Sequence, residues 1–222
     1  MDADRGIWIA SDDWLGPSGT KVTASFGGKG LPSDRRRAIE TLAPPSVEPA
    51  WVEQIHSDRI RDGAAGSCGQ GDALITDRAC LALSVVTADC VPVLLANERQ
   101  VAAIHAGWKG VVAEIVQKCI DLFRDPVEVA WIGPSIRRPS YEVSPEVANQ
   151  VVAVSTPEVQ VEGPRGRPHV DLSDAVAWRL EQSEVADIRR VDECTFAEPQ
   201  KLWSYRREGT AAGRNLSLLW RH

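Results

Sequence analysis

Residues 81–106 read LALSVVTADCVPVLLANERQVAAIHA, and this stretch decides the fold. It holds three short apolar runs, Leu81–Val86, Val91–Ala96 and Val101–His105, separated by two polar interruptions. Short Val- and Ile-rich runs bounded by turn-forming residues predict strands. Strands that follow one another without an intervening helix break the alternation of a doubly wound sheet, so a mixed-sheet α+β fold is expected. The region is also the most apolar of the chain, yet Thr87, Asp89 and Pro92 interrupt Ala79–Ala96. It is too short and too polar in the middle to cross a bilayer as one helix, and two buried strands are expected there.

Outward from this stretch, further strands are expected at Val22–Phe26, Ala73–Thr76 and Val127–Ile132. Val111, Val112, Ile115, Val116, Cys119, Leu122 and Phe123 fall on one stripe at helical spacing, which predicts a single helix after a Gly-Trp-Lys-Gly turn. A second helix is expected from Ser144, with Pro145 at its first position, and a third over Leu172–Gln182. Pro and Gly clusters at Gly27–Pro32, Ala43–Pro49 and Gly163–Pro168 read as surface loops, none of them a domain linker. A chain of 222 residues with 43% hydrophobic content is expected to form one domain, residues 1–222.

The net charge of -6 gives no electrostatic reason to bind nucleic acid or an acidic membrane. The start, MDADRGIWIASDDW, lacks the basic-then-apolar pattern of a secretory signal. Five cysteines without regular spacing do not form a disulfide framework, so a reducing cytoplasm is the expected location. No heptad or exposed apolar helix points to a protein partner, and a monomer is the default.

Three apolar segments end in a potential metal ligand: Val52–His56, Thr87–Cys90 and Val101–His105. Zinc favours imidazole and thiolate, and three protein ligands leave a fourth position open for chemistry. Each residue also has a plainer reading, His56 and His105 as hydrogen-bonded structural residues and Cys90 as a small buried apolar one. No Cys-x-x-Cys or His-x-x-x-His spacing decides between them.

The surrounding words are more distinctive. LSVVTADCVPVLLAN (Leu83–Asn97), VAAIHAGWKGVVAEIV (Val101–Val116), AWIGPSIRRPSYEV (Ala130–Val143) and CTFAEPQKLWSYRREGTAAGRNLSLLW (Cys194–Trp220) resemble the YfiH-type family. It is also called the laccase-like or multicopper polyphenol oxidase family and the peptidoglycan editing factor family. The resemblance runs from about Gln54 to the C-terminus. It implies a layered α/β/β/α sandwich of mixed β-sheets flanked by helices. It also implies that His56, Cys90 and His105 bind a catalytic zinc, because they match the family's Gln-x-His, Thr-Ala-Asp-Cys and His-Ala-Gly-Trp words. The chain departs from the pattern at Ser57, where Gly is usual, at Ser140 and Ala197, where Cys is common, and in a shorter segment before Gln54.

The resemblance implies purine nucleoside chemistry, namely phosphorolysis of adenosine, inosine and methylthioadenosine, and deamination of adenosine. Deamination needs a proton shuttle, for which Asp89 is the candidate; its other reading is a structural carboxylate at the strand end. Phosphorolysis needs an anion site, for which Lys109, Arg206, Arg207 and Arg214 are candidates. Tyr205 and Trp108 could stack on a base. Copper oxidation of phenols is disfavoured, because the chain has four His, no His-x-His pair and a single methionine, Met1. Three other readings stay open: a metal-free cysteine hydrolase with Cys90 as nucleophile and His105 as base, an amidase removing L-serine from muropeptide precursors, and a zinc-stabilised binding module.

Overall fold

The apolar runs of the sequence pair into two six-stranded mixed sheets that face each other. The computed structural model describes residue 7 and residues 9–222, so the readings made on the acidic start and on Met1 lie outside the described residues. In chain order the first half comprises β1 (Ile9–Leu15), β2 (Lys21–Gly27), α1 (Arg35–Leu42), β3 (Glu48–Glu53), β4 (Ile60–Asp62), β5 (Gly66–Gln70), β6 (Ala73–Thr76), β7 (Leu81–Thr87), β8 (Val91–Ala96) and β9 (Val101–Ala106). There follow α2 (Trp108–Val112), α3 (Ile115–Ile120), β10 (Val129–Ile132), α4 (Pro145–Ala153), β11 (Gln160–Glu162), β12 (Pro168–Val170), α5 (Leu172–Gln182), β13 (Asp187–Arg190), α6 (Tyr205–Glu208) and β14 (Asn215–Arg221).

The first sheet has the order β1-β2-β14-β7-β3-β5 and the second β13-β10-β8-β9-β6-β4. Both contain parallel and antiparallel pairs. Trp14, Phe26 and Leu83 of the first sheet meet Leu94, Val129 and Trp131 of the second in the core between them. On the outer face of the second sheet, Val93, Leu95 and Ile104 pack against Ile115, Cys119, Val151 and Val176 from the helices. On the outer face of the first, Leu216, Leu218 and Trp220 pack against Ala38 and Ile39 of α1. The result is the expected α/β/β/α layering. β8 and β9 are buried on both faces, which is why they read as unbroken apolar runs. Burying each large apolar side chain contributes roughly 1.5–3 kcal/mol.

The single helix expected over the Val111–Phe123 stripe is two. Glu114 stands at φ 57 between α2 and α3, a left-handed conformation that ends one helix and redirects the chain into the next. The redirection lets Val111 from α2 and Ile115, Val116 and Cys119 from α3 reach the same layer. The Gly-Trp-Lys-Gly word is not a turn before the helix, since Gly107 caps α2 and Trp108 begins it. The loop expected over Ala43–Pro49 stops short of Pro49, which lies in β3 opposite Ala82 of β7. The other two helices form as expected. Ser144 accepts from the Val147 amide with Pro145 at the first position of α4, and α5 spans Leu172–Gln182 with Asp171 as its cap. Among the described residues, no helix is long and apolar enough to cross a membrane.

Candidate metal centre and its cavity

A loop, a turn and a strand carry the candidate donors to one point. β3 ends at Glu53, and Gln54 continues its pairing with a side chain: its amide donates to the Val86 carbonyl at 2.7 Å and accepts from the Val86 amide at 2.8 Å. His56 follows three residues beyond the strand, at φ 57. Cys90 sits between β7 and β8, after Asp89 at φ 102, and His105 lies within β9, one residue from its end. The structure brings the three residues together, with His56 carried by a loop, Cys90 by the turn between β7 and β8, and His105 by the strand itself.

The donor atoms of His56, Cys90 and His105 all lie within 4.8 Å of one another. Cys90 Sγ is 4.0 Å from His56 Nε2, and the two imidazoles stand edge to face with centroids 4.8 Å apart. Gly107 is required for this closeness: a Cβ there would lie 2.9 Å from Cys90 Sγ and 3.3 Å from His56 Cδ2. Two imidazoles and a thiol are a donor set suited to zinc, and no fourth protein donor joins the group among the described residues.

Asp72, immediately before β6, was not singled out from sequence, yet it organises this group. Its side chain is fully buried and lies 2.8 Å from Nδ1 of His105. It also accepts from the amides of Ile55, His56 and Ser57 and from the Ser57 hydroxyl. Burial alone would raise its pKa, but the His105 hydrogen bond and the Ser57 amide and hydroxyl outweigh it and hold the carboxyl well below the usual range. A carboxylate only accepts, so the proton of the His105 contact rests on Nδ1 and Nε2 is left for another partner. Burial acts to raise the Cys90 thiol too, but the facing His105 and His56 rings bring it down to about 7. Burial acts to lower His105, and Asp72 and Cys90 override it and raise it.

The donors open onto a cavity of about 760 Å³, within the size range of small-molecule sites. Arg35, Trp51, Tyr141, Tyr205, Arg206 and Arg214 also line it. Arg35, on α1, donates to the carbonyls of Val52 and Ser84 and to Gln54, and burial pulls its pKa down to about 10. The Arg206 guanidinium lies 5.1 Å from the Tyr141 ring and donates to the Glu142 carbonyl, and Arg214 donates to the carbonyls of Ala212 and Gly213. None of the three has a carboxylate partner among the described residues.

The other candidates are placed differently. Asp89 is buried, its Oδ1 accepting from the Thr195 hydroxyl at 2.7 Å and its Oδ2 from the Arg206 amide at 2.6 Å. It borders the cavity and accepts one hydrogen bond at each oxygen. Lys109 is exposed and outside the lining, because the first turn of α2 directs it past the Trp108 ring. Arg207 is also outside it, its guanidinium spent on the carbonyls of Thr195, Phe196 and Leu202 and on Glu208. Trp108 packs against the helical layer. His169, not a candidate, is largely buried, with Nδ1 2.9 Å from the Arg138 carbonyl.

A layered sandwich that aims two imidazoles and a thiol into one cavity is the class of protein described by this fold and site. The family model for multi-copper polyphenol oxidoreductase laccase matches residues 31–222, and the chain belongs to that family. It is 32% identical over 194 residues to purine nucleoside phosphorylase YfiH of Shigella flexneri, covering 84% of this chain and 79% of that protein. It is 34% identical over 188 residues to a purine nucleoside phosphorylase of Deinococcus radiodurans, covering 82% and 73%. A crystal structure of a Neisseria meningitidis protein superposes with a TM-score of 0.80 at 28% identity, over 96% of this chain and 98% of that one. YlmD from Geobacillus stearothermophilus gives 0.80 at 26% identity, over 90% and 92%.

Proposed function

We propose that this protein is a zinc-dependent purine nucleoside phosphorylase acting on adenosine, inosine or methylthioadenosine. The observation that carries the reading is the pairing, in one cavity, of the His56–Cys90–His105 donor set with three arginines that have no carboxylate partner among the described residues. Relatives named purine nucleoside phosphorylase support it.

In phosphorolysis a phosphate oxygen bonds to C1' of the ribose, the bond from C1' to the purine nitrogen breaks, and the departing base takes up a proton. The anion must be held against a sugar that is gaining positive charge. Arg206 and Arg214 offer guanidinium forks to phosphate. The half-buried Arg35, also in the lining, adds positive charge to the cavity wall. Trp51 and Tyr205 offer aromatic faces to the purine. His56, Cys90 and His105 would hold the metal, with Asp72 orienting His105. When bound, zinc supplies a Lewis acid at the cavity floor. Deamination is the second reading; it would use as proton shuttle Asp89, which borders the cavity and accepts one hydrogen bond at each oxygen. Copper chemistry is not proposed.

The test is incubation of metal-quantified protein with adenosine, with and without phosphate, following adenine and inosine by chromatography. Phosphate-dependent adenine that vanishes in Cys90→Ala supports the reading. Inosine formed without phosphate replaces it with deamination. Neither product, with one zinc per chain, refutes nucleoside chemistry and directs the search to amide hydrolysis of muropeptide precursors.

A further inference from the structure

We infer that Asp72 is a positioning residue that preforms the donor set by fixing two of its three members at once, and that Ser57 is its partner in this chain. The inference rests on the zinc reading for its purpose, but its geometry stands on the protein alone.

Asp72 is 0% exposed and receives five donors on two oxygens. Oδ1 lies 2.8 Å from His105 Nδ1 and 3.0 Å from the His56 amide. Oδ2 lies 2.6 Å from the Ser57 amide, 2.7 Å from the Ser57 hydroxyl and 3.3 Å from the Ile55 amide. A carboxylate has about four lone-pair directions, so this one is saturated. Its main chain joins in, since the Asp72 carbonyl accepts from the His105 amide at 2.7 Å.

Two consequences follow for the donors. His105 keeps its proton on Nδ1 and turns Nε2 toward Cys90 and His56. His56 is held at φ 57, a conformation that residues with a Cβ avoid, because three successive amides close around the same carboxylate. The sequence departs from the family pattern at this turn. Where the resemblance expects glycine, Ser57 brings a hydroxyl that donates to Asp72 and accepts from the Arg59 amide at 3.2 Å. The serine pins the loop that a glycine would leave freer.

The test uses Asp72→Asn and Ser57→Ala in the full chain. In native protein stripped of metal by chelator, NMR is expected to find a downfield, slowly exchanging proton on Nδ1 of His105, held by the Asp72 hydrogen bond, and in Asp72→Asn to find that proton moved upfield or lost to exchange. Zinc affinity, measured by competition with a chromophoric chelator, is expected to fall about 10- to 100-fold in Asp72→Asn and by less in Ser57→Ala. The absorption bands of the cobalt-substituted Asp72→Asn protein are expected to shift as the donors lose their arrangement. An unmoved His105 proton, or native zinc affinity with an unchanged cobalt spectrum, overturns the inference. Should Asp72→Asn fail to fold, Ser57→Ala decides: a weaker zinc affinity at unchanged metal-free thermal stability supports the role, and an unchanged affinity overturns it. A native protein that binds neither metal defeats the zinc reading, and the NMR arm then decides for Asp72 by itself.

Discussion

Asp89 joins the donor turn to the C-terminal part of the chain, and removing it should cost stability in a calculable way. Oδ1 holds the Thr195 hydroxyl and Oδ2 the Arg206 amide, the former at a fully buried residue. Hydrogen bonds to a charged group contribute about 1.5–3 kcal/mol each. Asp89→Ala deletes two and strands both donors, while the cavity lets water reach the Arg206 side. The expected destabilisation is about 3–4 kcal/mol. Asp89→Asn keeps the shape: the amide oxygen still accepts from Arg206, and the amide nitrogen donates to a Thr195 hydroxyl that turns to accept. Only the charge assistance is lost, about 1–2 kcal/mol. Both are measured by urea unfolding in excess chelator, so that metal binding does not enter. Combined with Thr195→Val, Asp89→Ala should be non-additive, because the two share one bond. The same variants address catalysis. As a structural bridge, Asp89→Asn keeps kcat within a few-fold, whereas a proton shuttle would lose about 100-fold or more. A loss below about 1 kcal/mol in Asp89→Ala would refute the bond-by-bond reasoning.

Arg206→Ala and Arg214→Ala are each expected to raise the KM for phosphate about tenfold in the phosphorolysis assay, whereas Lys109→Ala, outside the cavity, leaves it unchanged; unchanged KM in both arginine variants would remove the anion site. Cys119 is fully buried, and burial pushes its thiol up to about 12. The unfolded thiol ionises at about 8.5, so between those values the unfolded state has lost a proton that the folded state keeps, and stability falls as pH rises through that window. Urea titrations should show this alkaline slope reduced in Cys119→Ala. Glu114→Gly removes a left-handed strain of about 1–2 kcal/mol together with an ion pair to Arg179 contributing about 0–1 kcal/mol. A small net gain in urea stability is expected, and a loss above about 1 kcal/mol would show that the ion pair outweighs the strain.

What the sequence revealed follows from what each residue's neighbours are. β7, β8 and β9 were legible because burial on both faces leaves an unbroken apolar run. β1 was not, since it is an edge strand with Asp12 and Asp13 at its centre and Trp14 as its one buried side chain. The break at Glu114 was hidden because helical periodicity continues across it, and only packing onto the second sheet requires the turn. The donor residues could be named from the words around them. Asp72 and Arg35 could not, because a single charged residue before a strand or in a helix looks solvated until the sheets close over it. Lys109 and Arg207 failed as cavity residues for a related reason: a motif fixes where a residue lies along the chain, not which way its side chain leaves the backbone.

The position of β14 has a consequence for how the protein is made. Its residues 215–221 lie between β2 and β7 in the first sheet, pairing Leu218 with both Ser25 and Ser84. Until that segment has left the ribosome, β2 and β7 each expose an open edge, and Thr87, which pairs with Asn215 three residues before Cys90, has no neighbour on that side. The cavity is therefore assembled only after residues 215–221 have been translated. Only then do His56, Cys90 and His105 face a completed cavity, and a nascent chain stalled before residue 215 offers an open half-sheet prone to mispairing.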